Sequence, residues 1–132
     1  MTDGQDNAGY FEVYNELENQ RQLLKKLISS LQENNRQLAR AERKYRMELS
    51  KKMLELKVDG FVGEVDGREM ATEPVAWTKT SELARGIPEI AELREKRDIL
   101  KGEKEATMQK IYETKMHIQF LEAELEAIRK GE

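Results

Sequence analysis

The chain has one histidine, His117, and no cysteine. Neither a histidine cluster nor a set of thiolates is therefore present to hold a metal ion. His117 adjoins Ile118 inside an apolar repeat, the setting of a solvated or packed helical imidazole rather than of a general base. Ser29, Ser30, Ser50 and Ser81 lack the glycine-flanked elbow that exposes a nucleophilic serine. Carboxylates are abundant, but they stand three or four residues from Lys or Arg, the spacing of surface ion pairs along a helix. Neither Asp59-Gly60 nor Asp66-Gly67 continues into a calcium loop. No glycine-rich phosphate cradle leads into a helix. These patterns argue against catalysis and predict no cofactor and no metal.

What remains is the chemistry of contact. Arg36, Arg40, Arg43, Lys44 and Lys51 fall on outer positions of a heptad pattern, with Arg46, Lys52 and Lys57 nearby and only Glu42, Glu48 and Glu55 to offset them. Arg36, Arg40, Arg43 and Lys44 are the candidate phosphate contacts of such a basic face, although outer charges on a long helix most often serve solvation. The formal net charge of -3 argues against the whole molecule acting as an electrostatic nucleic-acid binder. Tyr112, Met116, Phe120, Ala123 and Ala127 form a stripe spaced by three and four. At 100° per residue Met116 points away from Ile118, so the stripe lies off the main apolar seam. Tyr112, Met116, Phe120 and Ala123 are the candidate face for a second copy or a foreign partner. Phe11, Leu23 and Leu27 also lie off the seam. Trp77, the one tryptophan, either folds back on the helix ends as a plug or anchors a recognition tip, because Trp is enriched at interface hot spots.

Two heptad stretches must position these residues. The first takes Tyr14, Leu17, Leu24, Ile28, Leu31, Leu38, Tyr45, Leu49 and Leu56, interrupted by Arg21, Asn35, Glu42 and Lys52. No Gly or Pro falls between Tyr10 and Val58 to break it. The second takes Ile90, Leu93, Leu100, Ile111, Ile118, Leu121, Leu125 and Ile128, with Pro88 suited to its first turn. Gly102 interrupts that helix at a cost of about 1 kcal/mol relative to Ala. Between the stretches, Asp59-Gly60 and Asp66-Gly67 are turn signals. Phe61, Val62 and Val65, then Val75, Trp77 and Thr78, favour strands, and Ser81-Glu82 suits the start of a short helix ended by Gly86.

The expected fold is all-α: a long antiparallel helical hairpin, or coiled coil, with an ordered loop or small β tip, assembling into a helical bundle. Residues 1–9 form a flexible tail, 10–58 helix one, 59–87 the connecting tip and 88–130 helix two, in a single domain. An antiparallel register that sets Leu56 opposite Leu93, Leu49 opposite Leu100, Leu31 opposite Ile118 and Leu24 opposite Leu125 pairs the apolar positions. It also sets Asn35 against Thr114 and Tyr45 against Lys104, at the cost of facing Lys52 with Arg97.

Composition bounds the function. Charged residues make up 37% of the 132 and the mean hydropathy is -0.82, so a large compact core is not expected, while the sustained apolar repeat sets the chain apart from disordered sequences. No apolar run approaches the roughly 18 residues that a membrane span needs. Residues Met1–Asn7 lack the basic-then-apolar order of a signal peptide. With the absence of cysteine, this points to a reducing cytoplasm.

The segment Pro74-Val75 through Glu82-Leu83-Ala84-Arg85-Gly86, with Glu89-Ile90-Ala91-Glu92-Leu93-Arg94 and Arg97-Asp98, resembles a group of small helical proteins of bacteriophages and prophages of Gram-positive bacteria. In that group a first helix leads through a Pro-Val-Thr type turn and an Ala-Arg-Gly into a second charged helix. Here Ile87-Pro88 replaces a customary capping Asp, and residues 58–73 are additional. The resemblance implies a phage origin and action in the host cytoplasm. By layout the chain also resembles prefoldin-type chaperone subunits. The function expected is that of a non-enzymatic interaction protein that self-associates and binds a protein partner. The alternatives are a nucleic-acid-associated replication or recombination accessory factor and a prefoldin-like holdase.

Overall fold

The structure is a computed structural model that describes the backbone of residues 3–131 and the side chains of residues 9–131. It is 83% helical. Five elements follow in order: α1 (Asp3–Val58), β1 (Phe61–Val65), β2 (Arg68–Thr72), α2 (Trp77–Arg85) and α3 (Pro88–Lys130). The long helices α1 and α3 pack against each other, with the strand pair between them in sequence. Helix one thus begins at Asp3 rather than residue 10, because the early glycines carry a modest helix penalty and no proline enforces a start. Of the expected tail, residues 1 and 2 lie outside the described residues. Helix two starts at Pro88 as its lack of an N–H favours.

The chain divides into two compact units, one of Met1–Glu33 with Lys104–Glu132 and the other of Asn34–Glu103. The first unit is a helix pair. Its seam buries Leu17, Ile111, Thr114 and Leu121, with Leu24, Leu31, Ile118 and Leu125 half-buried beside them. Arg21 reaches from α1 to Glu122 on α3 at 3.8 Å, whereas the expected register set it level with Ile128.

The second unit is richer. Tyr45, Val65, Ile87 and Ile90 form a buried cluster against which Leu49, Phe61 and Leu93 pack, and Leu56, Thr80 and Ala84 are also buried. The Arg97 guanidinium lies 4.7 Å from the Tyr45 ring centre, where the expected register had Lys104. The packing is therefore displaced by one heptad. A displacement of seven residues returns every seam position to an equivalent one. The register formed also takes Arg97 away from Lys52, which instead bridges Glu55 at 3.3 Å, and gives the guanidinium an aromatic face.

The tip is a strand pair and a short helix. β1 and β2 are antiparallel with Phe61 opposite Thr72 and Val65 opposite Arg68. Asp66 and Gly67 both have positive φ, 51° and 79°, the two-residue turn whose twist matches that of paired strands. That turn pairs β1 with the residues immediately following, so the second strand is Arg68–Thr72 and not the β-favouring Val75 to Thr78. The latter residues lead into α2, which starts at Trp77 and not at Ser81. Its inner face, Thr80 and Ala84, is one i,i+4 pair, and the buried Thr80 hydroxyl donates to the Trp77 carbonyl at 2.9 Å.

Three features join the tip to its surroundings. The Asp66 amide donates to the Gly86 carbonyl and the Val75 amide to the Leu56 carbonyl, both at 2.9 Å. A Cβ on Gly86 would approach a Val65 methyl to 2.6 Å. Gly86 ends α2, as expected, but with φ -83°. It is glycine for close approach of the hairpin rather than for a left-handed bend.

Candidate interaction surfaces

The stripe on α3 lies in the first unit. Successive steps of four residues advance the direction by about 40°, so Met108, Tyr112, Met116 and Phe120 follow one slowly winding face. Their exposures are 50%, 60%, 52% and 67%, and Ala123 and Ala127 continue the face exposed. Ile111, Thr114 and Leu121 occupy the seam side of the same turns. Thus the structure brings together all four residues named for this face and adds Met108, one step before Tyr112. At these exposures the four large side chains present on the order of 400 Å² of apolar surface, since a whole aromatic side chain covers about 150–250 Å². A patch of that size is about the largest found on a typical monomer, where such patches are often functional.

A second surface belongs to the Asn34–Glu103 unit. Leu93, Leu100 and Ala41 form the floor of a groove whose rim carries Arg40, Lys44 and Lys96. It continues into a recess of about 700 Å³ that adds Ile90 and Ile99 to the floor and Glu48, Glu89, Glu92 and Glu95 to the rim. Lys44 and Lys96 line both parts, so the narrower part is basic and the recess is mixed in charge. Ile99 is 56% exposed. Its position off the seam was the signal for this surface, together with Ala41, but spacing alone does not tell which flank of a helix pair opens into a groove.

Arg40, Arg43 and Lys44 also gather with Met47 and Glu48 around a shallow recess. Arg36 is exposed and is not among the residues lining it. Trp77 is 54% exposed at the start of α2 and does not plug the helix ends. It stands at the first position of α2, one turn before the buried Thr80. Outside the groove, Met47, Leu54 and Val58 are exposed along α1 in the same unit.

His117 is exposed on α3. Among the described residues no group of three His, Cys, Asp or Glu side chains is placed to hold a metal ion, and no helix is long and apolar enough to cross a membrane. No family model, curated protein or solved structure matches the chain. The surfaces themselves are what the molecule offers for a functional argument.

Proposed function

We propose that this is a non-enzymatic interaction protein that assembles with copies of itself and, in that form, binds a protein partner. The observation that carries the reading is the exposed Met108, Tyr112, Met116 and Phe120 stripe on the face of α3 opposite its seam. Burying such a face between subunits is the common outcome for a helix pair with a second apolar side. The resemblance around Pro74 to Asp98 supports a phage or prophage origin and action in the host cytoplasm. Sedimentation across a concentration series tests the assembly. The wild type is expected to form a dimer or larger species, and Met116→Glu with Phe120→Glu to shift it to monomer with its circular dichroism retained. A wild type that stays monomeric at high concentration sinks self-association.

A nucleic-acid-associated role is the second reading, favoured by the gathering of Arg40, Arg43 and Lys44 around one recess. Duplex binding would then weaken by roughly 0.9 logarithmic units per phosphate contact for each decade of salt. Weak or no binding is expected, given the negative net charge. Tight binding near physiological salt that disappears when Arg36, Arg40, Arg43 and Lys44 are neutralised would reverse this order.

A further inference from the structure

We infer that the α3 stripe pairs antiparallel with the same stripe of a second copy, about a two-fold axis beside Phe120, and so gives a closed dimer. This rests on the self-association proposed above and names the face that covers the stripe. The stripe is uneven in size along its length, and that unevenness carries the inference. Tyr112, Met116, Phe120, Ala123 and Ala127 all point within about 60° of the Met116 direction, and all five are exposed. Large side chains fill the first part of this face, and the two alanines fill the last. Ile111, Thr114 and Leu121 hold the opposite side of the same turns, so the outer face is open to a second helix.

Turning one copy about a point between Gln119 and Phe120 sets Tyr112 opposite Ala127 and Met116 opposite Ala123. It brings the two Phe120 rings together at the axis. Large side chains then meet small ones, which lets the layers interdigitate at an even helix separation of about 8–10 Å. A parallel pair instead sets Tyr112 on Tyr112 and Met116 on Met116, but Ala123 on Ala123 and Ala127 on Ala127. Such a pair is crowded at one end and empty at the other, and close packing penalises both.

Flanking charges lean the same way. In the antiparallel pair Lys115 stands between Glu122 and Glu126 of the second copy, while Glu113 faces Glu124. In the parallel pair Lys115 stands beside Glu113, while Glu124 faces both Glu122 and Glu126. The antiparallel pair therefore holds fewer like-charge contacts. Glu126 already holds Arg129 at 2.7 Å, and Glu122 meets Arg21 at 3.8 Å with both exposed, pairs that contribute little by themselves.

Area agrees with a dimer. On the order of 400 Å² of apolar surface from each copy makes about 800 Å² in the pair. Apolar atoms form about 65% of a homodimer interface, so the whole contact is roughly 1,200 Å², the lower end for a stable complex. Because each copy uses its stripe completely, the two-fold pair grows no further.

The chain has no cysteine, so introduced cysteines report the pairing directly. In the antiparallel pair Met116 of one copy lies about 10 Å along the axis from Met116 of the other, beyond the roughly 7 Å that a disulfide spans. The same holds for Ala123. Met116→Cys and Ala123→Cys are each expected to sediment as dimers under reducing conditions. On oxidation each alone is expected to stay unlinked, whereas the mixture gives a disulfide-linked heterodimer, read by mass spectrometry. Linkage of each variant to its own copies overturns the inference in favour of a parallel pair. A self-associating chain that links neither way overturns it in favour of another surface that receives the stripe, and leaves self-association standing. A monomeric wild type overturns both. If either cysteine weakens assembly under reducing conditions, Tyr112→Cys with Ala127→Cys takes its place under the same criteria.

Discussion

The two units solve the same packing problem with unequal means. In the unit of Met1–Glu33 and Lys104–Glu132, two helices meet along a seam that the 3.8 Å Arg21–Glu122 ion pair crosses. In the unit of Asn34–Glu103, the seam is joined by a strand hairpin, a short helix and backbone bonds from Asp66 to Gly86 and from Val75 to Leu56. A seam of repeating heptads specifies which faces meet, but sliding by one repeat leaves it nearly unchanged. A hydrogen-bonded corner has no such repeat. The second unit therefore holds the register, and the first can spend its α3 outer face on exposed apolar side chains.

The comparison breaks most clearly at Ile90, which is 1% exposed in the cluster with Tyr45, Val65 and Ile87. Ile90→Ala is expected to lower stability by about 2–5 kcal/mol, read from urea unfolding. Amide exchange should accelerate across Asn34–Glu103 before the other unit. Equal loss from Ile28→Ala, whose parent side chain is 42% exposed, would contradict the unequal roles assigned to the two units.

A smaller effect is expected from Gly86→Ala. The added methyl meets Val65 at 2.6 Å and the Asp66 carboxylate oxygen at 2.9 Å, and forced overpacking of this kind costs about 1–3 kcal/mol. Val65→Ala in the same chain should recover part of that loss, which a thermal melt of the single and double variants will show. No recovery would mean that the hairpin does not rest on the α2–α3 corner.

Arg97→Leu comes next. The guanidinium over Tyr45 is half-buried, and such a contact contributes about 0.5–1 kcal/mol at a site of this kind. The double-mutant cycle with Tyr45→Leu isolates the pair, and a coupling near zero would remove Arg97 as a register marker. Least of all is expected from Glu122→Gln. Its bridge to Arg21 is exposed on both sides, so unfolding should change by less than about 0.5 kcal/mol. A loss above 1 kcal/mol would show that this unit depends on charge more than its seam suggests.

Much was legible from residue types and spacing. The helix boundaries near Val58 and at Pro88, the turn at Asp66-Gly67, the end of α2 at Gly86 and the outward face of Tyr112, Met116, Phe120 and Ala123 each rest on local chemistry: glycine and proline placement, or an angle around one helix. Other features escaped because they depend on residues far apart. The second strand lay in Arg68–Thr72, a segment with weak strand preference, because the tight turn and not propensity chose the partner of β1. Trp77 is exposed at the first position of a helix that starts four residues before Ser81. The groove of Ala41, Leu93 and Leu100 required α1 and α3 to be set side by side.

Residue periodicity and turn chemistry dictate that two amphipathic helices flank a turn-rich tip and that one face of the second is apolar and off the seam. These follow from a period of 3.6 residues acting on nearby side chains. That Arg97 and not Lys104 meets Tyr45 is set by long-range packing. Heptad periodicity cannot distinguish registers one repeat apart, and the choice falls to the corner where Val65, Gly86 and Ile90 close against one another.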